Sequence, residues 1–208
     1  MLGFGKSPKP KGAQYTVAMQ ARSIAKTVLR LNLGHRPIIV GHSLGALVAI
    51  ELAKRYPFVI QQLVLCSPPL YREMNEGALR GQDELLKELY KLIRQHPEQL
   101  PRIALLAARL GIITKAFELK GEESASIYVA ALEASIIHQT SLMDIQKLRL
   151  PITILYGKFD PLVVSARYAQ LAKTRPNVTV KGFAVGHEII GRYQTIIATE
   201  LRKLLTPQ

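Results

Sequence analysis

The sequence predicts an α/β chain: a parallel sheet of about four strands flanked by helices, with an all-helical insert. Three observations predict it. Short apolar runs recur at Pro37–Val40, Gln62–Cys66, Pro151–Tyr156 and from Asn177 to Val180. Helical patterns alternate with these runs, which is the signature of parallel strands covered on both faces. Between Leu70 and Leu150 the alternation stops, and the pattern there is helical without a strand.

The elements follow in order. Tyr15–Leu33 carries Val17, Ala21, Ile24, Val28 and Leu31 at spacings of three and four, an amphipathic helix with Gly34 placed as its C-terminal stop. The strand Pro37–Val40 precedes a helix over Leu44–Tyr56, apolar on most faces as far as Ala53, as a buried helix is. Gln62–Cys66 is stopped by Ser67-Pro68-Pro69, and Pro151–Tyr156 by Gly157. The insert reads as helices at Glu84–Gln95, Pro101–Leu110 and Ser124–His138. Within it, Ile103–Phe117 is apolar apart from Arg109 and Lys115; packing against neighbours is the common reason for such a face, and a lipophilic pocket or a membrane surface the others. Ala166–Thr174 is the next helix, a strand starts at Asn177, and His187–Leu205 closes the chain as a helix striped by Ile190, Tyr193, Ile197, Leu201 and Leu204. The expected organisation is a core of residues 1–70 and 151–208, with residues 71–150 as a helical cap over the strand ends.

Composition narrows the function. The 208 residues suffice for one domain with a sizeable core, and 48% are apolar. No uninterrupted apolar run approaches the roughly eighteen residues of a membrane span, and no apolar signal-peptide core stands at the start. The single cysteine, Cys66, cannot close an internal disulfide, so a cytoplasmic location is expected, with Cys66 as a buried strand residue. The net charge of +13 invites a nucleic-acid reading. The lysines and arginines are instead scattered and interleaved with glutamate, without a nucleic-acid-binding motif, so a basic solvated surface is expected.

The chemistry centres on Gly41-His42-Ser43-Leu44-Gly45, set between a strand and a helix. A sharp strand-to-helix turn lifts the middle side chain clear of the sheet, and both glycines are expected to leave room for neighbouring backbone. Ser43 then stands at a helix N-terminus, where developing negative charge is favoured. A serine hydroxyl needs an adjacent base, most often a histidine oriented by a carboxylate. The five histidines are His35, His42, His96, His138 and His187; the three aspartates are Asp83, Asp144 and Asp160. Asp160 follows a strand's C-terminal end in Tyr156-Gly157-Lys158-Phe159-Asp160-Pro161, the edge where ligands gather in open α/β sheets. His187 follows the last strand. Asp160 also suits a simple turn before Pro161, and His187 a polar helix start. His42 points the wrong way for a base, and His35, His96 and His138 read as surface residues. No two histidines stand at metal-ligand spacing with a carboxylate, so neither a metal nor a cofactor is expected.

These segments together resemble the α/β-hydrolase fold family, in its serine-nucleophile branch with a helical cap. The likeness rests on Gly41–Gly45, on Tyr156-Gly157-Lys158-Phe159-Asp160-Pro161-Leu162-Val163, on Gly186-His187, and on Leu2-Gly3-Phe4-Gly5-Lys6-Ser7, which is similar to the loop after the family's fourth strand. The order Ser43, Asp160, His187 matches the family's order. The resemblance implies Ser43 as nucleophile, His187 as general base and then acid, Asp160 as the group orienting the imidazole, and the Leu44 backbone N–H as an oxyanion donor. It also implies that Met1 falls about where the family's fourth strand ends, so that the first four strands, the first helix and the second oxyanion-donor loop are absent from this chain. Without that donor the rate falls about 10²–10³-fold. The strand at Pro37–Val40 becomes an apolar sheet edge, open to self-association. Three functions fit: a serine hydrolase for an ester or related acyl bond of a partly apolar small molecule, an acyltransferase with the same three residues, and a non-catalytic homologue that is inert or binds a partner.

Overall fold

The computed structural model describes residues 1–71, 121–137 and 139–206, with isolated positions at 88, 92, 95, 96 and 99. Helix α1 spans Val17–Arg30, strand β1 Ile38–His42, helix α2 Leu44–Arg55 and strand β2 Gln62–Cys66. Helix α3 spans Gly121–Leu132 and runs into a π-helical turn at Glu133–Ile137. Helix α4 (Ser141–Lys147), strand β3 (Ile152–Gly157), helix α5 (Ser165–Thr174), strand β4 (Val178–Phe183) and helix α6 (Arg192–Leu205) complete the chain.

The four strands form one parallel sheet in the order β1-β2-β3-β4. The register sets Val40 against Val64, Val64 against Thr153 and Thr153 against Thr179. Alternation along the inner strands explains their unbroken apolar character. Leu63, Leu65, Ile152 and Ile154 point into the larger core, with Ala21 and Ala25 of α1, Leu47 and Ile50 of α2, Ile145 of α4 and Leu171 of α5. Val64, Cys66 and Leu155 point the other way, onto Tyr193 and Ile197 of α6. Both faces are therefore dry, as a parallel sheet requires. At the edge, β1 pairs with β2 alone among the described residues, and Val40 is 45% exposed.

Local chemistry corrects several expected boundaries. Helix α1 begins after Thr16, whose hydroxyl accepts the Met19 N–H at 3.2 Å. Tyr15 lies outside the helix, with φ +50°. The helix ends at Arg30, with Leu31 as its C-cap, rather than running to Leu33 with Gly34 as its stop, and Asn32 makes the first left-handed turn, at φ +44°. The expected closing helix at His187 starts instead at Arg192, after Gly191 with φ +50°. Ile190 therefore stands outside its stripe and is 57% exposed, while Tyr193 and Ile197 are buried as expected. The helices expected at Glu84–Gln95 and Pro101–Leu110, the apolar stretch Ile103–Phe117, and the residues Asp83 and His138 lie outside the described residues, isolated positions apart.

The N-terminal segment is held by side chains. Gln20 on α1 is buried; its Oε1 accepts the Leu2 N–H at 2.8 Å and its Nε2 donates to Leu2 O at 2.9 Å. Leu2 and Phe4 then pack beside Tyr15, Ile127 and Ala131, which brings this segment against α3 and Leu44. Asp144 on α4 accepts from Lys54 Nζ at 2.7 Å and from Thr140 Oγ1 at 2.6 Å, tying α4 to the end of α2.

Candidate active site

Ser43 occupies the single residue between β1 and α2. Its backbone sits at φ +52°, ψ −123°, and its N–H donates across the sheet to Cys66 O at 3.0 Å. The turn needs Gly41, because a Cβ there would lie 2.8 Å from Ala46 Cα and overlap the Gly45 carbonyl. Gly45 is different: a Cβ there meets open space, so the expected steric need for a second glycine does not hold. Leu44, as first residue of α2, has an N–H with no acceptor inside the helix, next to the Ser43 hydroxyl.

Asp160 sits in the connection from β3 to α5, and its backbone N–H bonds Gly157 O at 3.3 Å. One carboxylate oxygen, Oδ1, accepts the Leu162 N–H at 2.9 Å. The other, Oδ2, lies 2.7 Å from His187 Nδ1. Both side chains are buried, Asp160 at 6% and His187 at 4% exposure. The two connections are held together by backbone as well. Lys158 N–H donates to Phe183 O at 2.7 Å and Phe159 N–H to Val185 O at 3.1 Å. Gly157 makes this approach possible, since a Cβ there would overlap the carbonyl oxygens of Gly186 and Val185.

A carboxylate only accepts, so the proton between Asp160 and His187 belongs to Nδ1 in the neutral ring. That leaves the Nε2 lone pair facing Ser43 Oγ at 3.1 Å. The distance is within reach of a proton transfer from hydroxyl to imidazole. The structure thus brings together three of the residues singled out in the sequence, from three separate sheet connections. It leaves His35 and His96 exposed and away from them, and engages Asp144 in its ion pair with Lys54.

Two surroundings carry no sequence signal. His42 is a poor base candidate by its direction from the strand, and its Nε2 lies 2.9 Å from His187 O. Burial, followed by the neighbouring His187, pulls its pKa down to about 4. The second is a small apolar cluster in which Leu44 and Phe4 pack on Ile127, with Tyr128 edge-on to Phe4 at 6.4 Å. Burial pushes the Tyr128 hydroxyl up to about 12. Glu188, next to His187, is also raised by burial. Cys66 is buried in β2, and burial pushes its thiol up to about 12, far from a reactive thiolate. Among the described residues no three His, Cys, Asp or Glu side chains gather as metal ligands, and no helix is long and apolar enough to cross a membrane.

The sequence profile of the alpha/beta hydrolase fold matches residues 1–120. Among curated proteins, the chain is 44% identical over 71 residues to "Probable lysophospholipase BODYGUARD 3" of Arabidopsis thaliana, a match covering 34% of this chain and 14% of that protein. It is 40% identical over 75 residues to "Probable lysophospholipase BODYGUARD 2" of the same plant, covering 35% of this chain and 15% of the relative. The alignments thus span a small part of those relatives. Among solved structures, a probable hydrolytic enzyme from Pseudomonas aeruginosa PAO1 superposes with a TM-score of 0.74 at 20% identity, over 99% of this chain and 74% of the other. A thermophilic esterase from Thermogutta terrifontis superposes at 0.67 and 21% identity, over 99% and 77%. At such identities the structural likeness establishes the fold.

Proposed function

The chain belongs to the alpha/beta hydrolase fold family, and on that premise we propose that it is a serine hydrolase for a carboxylic ester or related acyl bond. The observation that supports this most is the continuous line from Asp160 Oδ2 through His187 to Ser43 Oγ, with links of 2.7 and 3.1 Å. In this reading Ser43 Oγ attacks the acyl carbonyl as His187 Nε2 takes its proton. Asp160 holds the ring in the Nδ1–H form and stabilises the imidazolium. The Leu44 N–H faces the developing oxyanion. His187 then protonates the leaving alcohol, and a water activated by the same nitrogen releases the acid from Ser43.

The cap expected at residues 71–150 lies largely outside the described residues. Leu44, the chain neighbour of Ser43, packs in an apolar cluster with Phe4 and Ile127, which suits an apolar part of the substrate. The two plant relatives are named as probable lysophospholipases, and an acyl ester with an apolar chain is the substrate class proposed here.

The test is labelling of the folded protein by a fluorophosphonate probe, with the adduct located by mass spectrometry. Adduct on Ser43, lost in Ser43→Ala and in His187→Ala, is the expected result. Folded protein that takes no label at Ser43 overturns the reading. Turnover of short-chain and long-chain esters with added alcohols then separates hydrolysis from acyl transfer.

A further inference from the structure

We infer that His42 is a positioning residue for His187: its Nε2–H tethers the main-chain carbonyl of His187 to the end of the strand that carries Ser43. The inference rests on the proposed roles of Ser43 and His187, and it assigns a task to a side chain which those roles leave unused.

The geometry is specific. His42 Nε2 lies 2.9 Å from His187 O. A carbonyl oxygen only accepts, so Nε2 carries the proton and Nδ1 the lone pair. The two rings lie 4.8 Å apart, centroid to centroid, tilted by 45°. His42 therefore holds the backbone of His187 from beneath while its ring packs beside the imidazole.

The tether acts where the chain supplies little else. Residues 184–191 form neither helix nor strand. Their backbone bonds run from Val185 N–H to Phe183 O, from Phe159 N–H to Val185 O, from Ile190 N–H to Glu188 O, from Tyr193 N–H to Ile190 O and from Thr195 N–H to Gly191 O. None of these holds the His187 carbonyl. The side chain of His187 must nevertheless keep two bonds at once, to Asp160 at one nitrogen and to Ser43 at the other. Swinging the main chain at residue 187 moves both. A misplacement of about 1 Å at a reacting group costs on the order of 10²-fold in rate. Residue 42 is one bond along the chain from Ser43, so the same peptide that places the nucleophile also places its partner.

The experiment compares wild type with His42→Phe and His42→Gln. Phenylalanine keeps a ring and loses the donor. Glutamine keeps an N–H at similar reach from the main chain. Two quantities are read: the rate of fluorophosphonate labelling at Ser43, and amide hydrogen exchange across residues 184–190. His42→Phe should label about 10²-fold more slowly and exchange faster in that loop, and His42→Gln should recover most of both. If His42→Phe does not fold, His42→Asn, whose amide falls short of the carbonyl, takes its place. Wild-type labelling rates in His42→Phe overturn the inference. So does equal slowing in the Phe and Gln variants with loop exchange unchanged. If wild type itself takes no label, the hydrolase reading falls on its own. The tether is then decided by exchange alone: faster loop exchange in His42→Phe supports it, and unchanged exchange overturns it.

Discussion

The connection that carries Asp160 and the connection that carries His187 run side by side from neighbouring strands, yet they are held in opposite ways. Asp160 is fixed from within its own segment: its N–H bonds Gly157 O, and its Oδ1 takes the Leu162 N–H two residues on. Tyr71 Oη adds a bond to Leu162 O at 2.6 Å. His187 is fixed mostly by what comes from elsewhere, the His42 side chain, the Asp160 carboxylate and the backbone of Phe159. The acid is placed by local turn chemistry, and the imidazole by contacts 27 to 145 residues distant in sequence. A site can thus be stiff at one member and dependent on its neighbours at another.

Substitutions can break this contrast. The largest effect is expected for Asp160→Asn. The local turn bond to Leu162 survives on the amide oxygen, while the ring of His187 loses the acceptor that fixes its tautomer. Ester turnover should fall about 10⁴-fold with little change in the unfolding midpoint. A comparable loss of stability would show that Asp160 serves its own turn rather than His187. Gly157→Ala attacks the contact between the two connections. Its methyl would meet the carbonyl oxygens of Gly186 and Val185, backbone atoms that cannot rotate away. A loss of roughly 1–3 kcal/mol in urea denaturation is expected, with added mobility on the His187 side in amide exchange.

A smaller effect separates the two connections by pH. His42 has its folded pKa lowered to about 4 from an ordinary 6.5. Its neutral form is the one that folding favours, so the unfolded chain takes up the proton first as pH falls. Stability should therefore be full above about pH 6.5 and decline as pH drops toward 4. The loss between pH 7 and pH 5 is on the order of 1–2 kcal/mol. The groups facing the ring are His187, whose positive form disfavours a second cation, and Asp160, which favours one. Urea midpoints of wild type and His42→Phe at both pH values check it: the variant's change should be visibly smaller.

The same contrast explains what the sequence made legible. The strands were readable because β2 and β3 bury both faces and so show unbroken apolar runs. Ser43 and Asp160 were readable because each sits in a short turn whose residues, Gly41 in one and Asp160-Pro161 in the other, carry the geometry locally. The sequence pattern extends the closing helix back to His187, five residues before its start at Arg192. The apolar residues of that stretch continue the periodic pattern of α6, and nothing local marks Gly191 as the point where the backbone turns left-handed. His42 was readable as a neighbour of Ser43 but not as a partner of a residue 145 positions away. The cluster of Phe4, Leu44 and Ile127 is illegible for the same reason: Leu2, which packs in it, is clasped by Gln20, a contact without a sequence pattern.

Ser43 holds a left-handed backbone, φ +52° with ψ −123°, in a residue type that gains nothing from it sterically. Such a conformation costs of order 1–3 kcal/mol for a residue with a Cβ and little for glycine. Position 43 is therefore a place where thermodynamic interest and chemical interest diverge. Ser43→Gly should unfold at higher denaturant than Ser43→Ala, by roughly 1 kcal/mol, with both variants inert toward the probe. Random drift freed from selection for the hydroxyl would favour glycine there. Serine in this turn therefore carries a stability cost that its hydroxyl, and not the fold, accounts for.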